Sequence, residues 1–424
     1  MQLRRAAGAL LLVAVLTARR ANAQASAEQG RATAESGATP SSSAATPDPQ
    51  PAAVAPPTHR VSTSNLTGTV GSEIAEYADT DHVFVFTPSI AGAVSNPTAG
   101  WSVNAGYLVD AVSAASVDIV STASRRWEEV RQEGSLAGSY HPGNLGVGAN
   151  AILSSEPDYL SLNAGASVTQ DLLNKNLTWL FSYEYGHDVS GRTGTPFSVF
   201  SHEIDHHSLK AGVTLLLDHA TIVSFVADVI FDIGDESKPY RYIPLFAPGV
   251  YVPVGASVAD VTSLRVSERP LEQLPLSRQR FATSGRLAHR FRSSTVRVDE
   301  RLYVDTWGMK ATTTDARYLF DLGRFEVGPH LRIHGQSPVD FWQRAYVMGP
   351  GFTYPALRTG DRELGPLLTA TGGGSLQVAL GSKAAPRAWV IGIDLNGMWT
   401  QYFDDLYITQ RWSFVGGVSL EAAL

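Results

Sequence analysis

The chain has 424 residues, of which 44% are hydrophobic and only 17% charged, with 38 Gly, no Cys and a net charge of -7. The absence of Cys excludes a disulfide scaffold, Cys-ligated metals, a lipid-modified N-terminal Cys and thiol chemistry. The acidic balance argues against nucleic acid as a partner, because phosphate neutralisation needs clustered Lys and Arg.

Residues 1–23 read as a secretory signal peptide. Arg4 and Arg5 form the basic start, 6–18 form a short apolar run, and Ala21-Asn22-Ala23 gives an A-x-A cleavage site. Loss of Arg4, Arg5, Arg19 and Arg20 with this segment moves the net charge from -7 to -11. Residues 24–66 are rich in Ala, Ser, Thr, Pro and Gln without periodicity, and are expected to be a disordered periplasmic tail.

From residue 67 to 424 the dominant period is two. Leu177, Trp179, Phe181, Tyr183 and Tyr185 alternate with polar or small residues, and so do Val223, Phe225, Ala227, Val229 and Phe231. Alternation puts one apolar and one polar face on each strand. The predicted strands are 68–78, 82–94, 99–110, 127–140, 143–153, 158–173, 176–189, 207–217, 220–232, 278–290, 294–306, 311–320, 324–334, 366–381, 387–402 and 406–424. Such lengths exceed the usual soluble strand and suit a tilted membrane crossing. Trp101, Tyr159, Tyr185, Trp389, Trp399 and Trp412 are assigned to the apolar face near strand ends, as interfacial girdles require.

The connections alternate in length. Every second one is short, while 111–126, 190–206, 233–277 and 335–365 fall in the other set. This segregation predicts a single all-β domain, a transmembrane antiparallel barrel of about sixteen strands, with short periplasmic turns and long external loops. The loop 233–277 is expected either to cap or enter the lumen or to run over the surface. The closing strand carries Trp412, Phe414, Val418, Leu420, Ala422 and Leu424 on one parity. Outer-membrane barrels often end in Phe, and Leu424 departs from that. Glu300 stands on the apolar parity of its strand, which calls for either a register-shifting bulge or a protein neighbour.

Three groups of residues invite a functional reading. His202-Glu203-Ile204-Asp205-His206, followed by His207, matches H-E-x-x-H, but zinc ligation by that string needs a helix. Its flanks are a Gly/Thr/Pro segment and a strand starting near Leu209, so His202, His206 and His207 are expected on a solvated loop rim, weak candidates for metal. Asp110–Ser116 and Asp118–Ser124 repeat D-x-V-S-x-A-S. Two successive turns are the favoured reading; a ligand site built from Asp110, Ser113, Asp118 and Ser121 is the other. Finally, Arg286, Arg290, Arg297, Arg301, Arg317, Arg324 and Arg332 share the polar parity of four successive strands with Asp299, Asp305, Asp315 and Glu326. They form one charged lumen wall, either stiffening the barrel through ion pairs or selecting solutes with a mild anion preference.

The paired D-x-V-S-x-A-S run and the segment Tyr240-Arg241-Tyr242-Ile243-Pro244-Leu245-Phe246 resemble the proteins of domain of unknown function 3570. That resemblance, over roughly 67–424, implies an outer-membrane barrel of a Gram-negative bacterium and carries over no catalytic residue. The expected function is a porin-like channel for small polar solutes, embedded in outer-membrane lipid, without a cofactor. The alternatives are a non-transporting scaffold for a periplasmic or surface partner and, last, an outer-membrane enzyme.

Overall fold

The computed structural model describes residues 66–113, 128–382 and 385–424. The expected signal peptide, nearly all of the expected tail, Asp118 and Ser121 lie outside them. Sixteen antiparallel strands close into one barrel, each paired with its chain neighbour. They are β1 (Thr67–Asp79), β2 (Phe84–Asn96), β3 (Trp101–Ser113), β4 (Glu128–Tyr140), β5 (Leu145–Glu156), β6 (Tyr159–Leu172), β7 (Leu177–Ser190) and β8 (His202–Leu216). The second half is β9 (Thr221–Gly234), β10 (Ser277–Arg290), β11 (Ser294–Asp305), β12 (Lys310–Leu322), β13 (Phe325–Gln336), β14 (Leu367–Ser382), β15 (Ala385–Tyr402) and β16 (Gln410–Ala423). Pairing of β1 with β16, from Thr69–Ala423 to Asp79–Ser413, seals the cylinder and leaves no barrel edge unpaired.

Alternation decides which side chains face out. On β7, Trp179, Phe181, Tyr183 and Tyr185 are exposed on the outer surface while Asp188 is buried within. Val298, Leu302 and Val304 of β11 and Trp412, Phe414 and Val418 of β16 continue the apolar outer face. One reading needs correction, and one open alternative resolves. Tyr159 is buried, on the inward parity of Ser161 and Asn163, and takes no part in an outer girdle. Glu300 faces outward without any bulge: its register with Gly285 and Thr314 is continuous. Its carboxylate accepts hydrogen bonds from the Thr312 hydroxyl at 2.6 Å and the Thr314 hydroxyl at 2.5 Å. The neighbour that satisfies it is therefore the adjacent strand.

Loop lengths segregate by end. One end has only tight turns, such as 97–100, 141–144, 217–220 and 291–293. The other carries 191–201, 235–276 and 337–366. The longest loop leaves β9 at Gly234, with φ of 139°. A Cβ there would stand 2.0 Å from the Glu203 carbonyl oxygen, so only glycine fits. Its N–H donates to the Leu276 carbonyl at 3.0 Å, which holds the two roots of the loop together.

Candidate functional site

The inward face of β10–β13 holds the predicted charged wall, and most of its members are paired. Arg286 and Arg297 share the Asp299 carboxylate. Arg317 lies 3.2 Å from Asp315, and His330 lies 2.8 Å from the same carboxylate. Arg301 reaches 3.2 Å across to Asp228 of β9, and Arg290 reaches 3.0 Å to Asp321 at the short-turn end. Asp305 pairs with Arg278 at 2.5 Å beneath the Trp307 ring. Arg332 and Glu326 lie on β13 at the same inward parity. Arg324 does not belong to the wall; it sits in the turn between β12 and β13. Asp228 and Asp321 were missed because they stand outside the segments carrying the Arg run. They leave the wall closer to neutral than the Arg count suggested.

The histidine string is in a strand, not on a loop rim. β8 begins at His202, so successive residues alternate between faces. Ile204 and His206 are buried inside, while His207 faces out beside Tyr183, whose hydroxyl lies 2.8 Å from its Nδ1. His202 and His206 share a face of the strand, but four extended residues set them about 13 Å apart, where a helical turn would have gathered them. Mixed His, Glu and Asp had hidden the strand period. His206 is clamped: Nε2 is 2.8 Å from Asp188 Oδ2 and Nδ1 is 2.5 Å from Asp232 Oδ1. Asp232 also meets Arg280 at 2.5 Å. Among the described residues, no His/Cys/Asp/Glu group is arranged to hold a metal.

The first D-x-V-S-x-A-S copy is likewise not a turn at its start. Asp110 and Ser113 are among the last residues of β3, and Asp110 is fully buried. Its carboxylate accepts from Arg131 at 2.7 Å and from the Thr87 hydroxyl at 2.5 Å. The rest of the repeat lies outside the described residues.

The long-loop end carries a feature visible only in three dimensions. Loops 235–276 and 337–366 fold together as one cap. Leu245–Phe246 and Tyr346–Val347 pair as a short parallel ladder, and Gln273 and Arg358 exchange backbone hydrogen bonds of 3.0 Å. Ile243, Leu245 and Tyr346 form one small core, and Phe246, 0% exposed, forms a second with Val252, Ala256 and Val261. A short helix α1 (Val258–Leu264), closed by a Ser257–Asp260 capping box, seats Val261 against Leu406 of the β15–β16 loop. Buried within, Arg241 bridges Glu272 at 3.1 Å and Asp361 at 2.9 Å. Burial raises the Asp361 carboxyl above its ordinary range, against the pull of Arg241.

The cap reaches around the rim. Arg362 pairs with Asp81 in the β1–β2 turn at 2.7 Å. Arg411 of β16, 0% exposed, meets Glu363 at 3.4 Å. The Tyr402 ring lies 5.5 Å from both guanidinium groups. On the opposite side the Tyr240 hydroxyl donates to Asp158 of the β5–β6 turn at 2.6 Å and meets the backbone of Thr193. Burial and that hydrogen bond push the Tyr240 phenol up to about 12. Trp307, between β11 and β12, packs on Val339. Loop 235–276 thus crosses the mouth rather than running over the outer surface.

Residues 201–387 match the family model described as "Protein of unknown function (DUF3570)". This stretch includes the Tyr240–Phe246 segment and the histidine string, and excludes the D-x-V-S-x-A-S repeat. No curated protein matches the chain. Among solved structures, CdiB from Acinetobacter baumannii is 10% identical with a TM-score of 0.47, over 84% of this chain. The match spans 60% of the CdiB chain. The outer membrane protein opdK from Pseudomonas aeruginosa is 8% identical, with a TM-score of 0.41 over 85% of this chain and 99% of its own. OprD from the same organism is 8% identical, with a TM-score of 0.40 over 85% and 94%.

Proposed function

We propose that this chain is an outer-membrane channel of porin type that passes small polar solutes, with a folded cap controlling its outer mouth and the N-terminal tail in the periplasm. The observation that carries this reading is the contrast between the two barrel faces. The outside is predominantly apolar along the strands, as a bilayer requires. The inside of β10–β13 carries ion pairs with half-exposed members, such as Arg301 with Asp228 and Arg286 with Asp299. A dry core would leave these charges poorly solvated, whereas a water-filled lumen suits them. Sixteen-stranded barrels are wide enough for an aqueous path. The long loops mark the outer end, by the loop asymmetry of bacterial barrels.

A scaffold reading draws on the cap itself, which spans the mouth and offers a folded surface to a partner. The enzyme reading has no support at the loop end, where His206 is held between Asp188 and Asp232 and His207 faces outward. Liposome swelling separates the first two. Folded protein in liposomes should admit small sugars and amino acids. A well-folded preparation that admits none would favour the scaffold.

A further inference from the structure

We infer that the lumen is polarised across its width, with a net-positive arc on β10–β13 and an acidic arc on β15, β16 and β1, and that this field selects and orients small zwitterions. The inference rests on the channel reading and names its solute class.

Inward charge around the barrel falls into distinct arcs. At mid-strand on β10–β13 stand Arg286, Arg297, Arg301, Arg317 and Arg332, against Asp299 and Asp315 on the same strands and Asp228 beside them on β9. The cations outnumber the anions there. The acidic arc is Asp394 on β15, Glu421 on β16 and Glu73 on β1. These positions share the inward parity of the buried residues Met398, Ser413 and Ala75 on their own strands. Among the described side chains of these three strands, the only inward Lys or Arg is Arg411, which is engaged with Glu363 of the cap. Between the arcs lies β14, whose inward residues Thr369, Thr371, Gly373, Ser375 and Gln377 carry no charge.

The far wall is neutral. Below the Asp110, Arg131 and Glu133 level, inward positions of β2–β5 are small or uncharged, including Ser135, Ser139, Gly148 and Asn150. Small side chains leave space on that side, so solute passes there beside the acidic arc at β1 and facing the positive arc across the lumen. Charges set in low-dielectric walls focus their field into the aqueous space between them. Rings of charge select ions in pores by the same physics. A solute carrying one carboxylate and one ammonium is attracted at both ends, while a simple anion or cation is drawn to one arc and repelled by the other.

The test is ion selectivity and blockade in planar bilayers across a KCl gradient. Glu73→Gln with Asp394→Asn should move the reversal potential toward chloride, with a several-fold change in permeability ratio. Arg297→Gln with Arg301→Gln should move it toward potassium by a similar factor. Glycylglycine should block the wild-type current for longer than acetate or ethylammonium does, and both variant pairs should shorten that block. A conducting channel whose reversal potential neither pair moves overturns the polarised lumen and leaves the channel reading standing. A wild-type barrel that passes no current overturns both.

Discussion

The Nε2 atom of His206 lies 2.8 Å from the carboxylate of Asp188, inside the barrel wall and away from solvent. With Asp232 on its other nitrogen, this ring ties β7, β8 and β9 together just below the cap. His206→Leu should leave two buried carboxylates facing each other. Removing one partner of a buried pair typically costs about 3–5 kcal/mol. Denaturant unfolding of the reconstituted barrel should register a loss of that order, and His206→Gln, which keeps a donor, a smaller one. A neutral His206→Leu would mean that the carboxylates do not depend on the ring.

The Arg362–Asp81 pair joins the 337–366 loop to the first turn of the barrel. Arg362→Ala should loosen the cap without unfolding the strands. Limited proteolysis should then cut within 235–276 at least tenfold faster, with the barrel fragment retaining its folded gel mobility. Unchanged cleavage would show that the small core around Phe246 holds the cap unaided.

Tyr240 makes cap closure pH-dependent. Its phenol is raised from 10.0 to about 12 by burial and its bond to Asp158. A raised folded value means this contribution is complete below pH 10 and is lost as pH rises toward 12. Hydrogen exchange of residues 240–246 should therefore accelerate across that window in the wild type. Tyr240→Phe should remove the window, with faster exchange already at neutral pH.

Glu300 stands mid-strand on the outer face, and Thr312 and Thr314 satisfy its oxygens. Glu300→Gln should change stability by less than about 1 kcal/mol, since the amide can still accept. Glu300→Lys should cost about 2–4 kcal/mol, the range for a basic residue at the bilayer midplane. Equal tolerance of both would argue against lipid at that position.

The strands were legible because each repeats one simple rule. Leu177 to Tyr185 alternate cleanly, and β7 spans Leu177–Ser190. The rule failed where polar residues occupy both faces. His202 to His206 lack an apolar parity, so the pattern alone puts the start of β8 in a loop; at Asp110 it is the D-x-V-S-x-A-S repeat that suggests a turn. Both are buried ion-pair positions near the long-loop end. Their partners Asp188, Asp232 and Arg131 come from neighbouring strands, a relationship that no local pattern carries. The cap was less legible still. Arg362 and Asp81 are 281 residues apart, and Arg241 and Asp361 are 120 apart. Only the length and Pro content of 233–277 hinted at it.

The most direct test of the central claim is the single-channel current of the wild-type protein beside that of Asp81→Asn. A capped aqueous pore predicts discrete openings in the wild type and a several-fold higher open probability once the Arg362 latch is weakened, at unchanged unitary conductance. Folded protein that passes no current, in the wild type and in the variant alike, would contradict it.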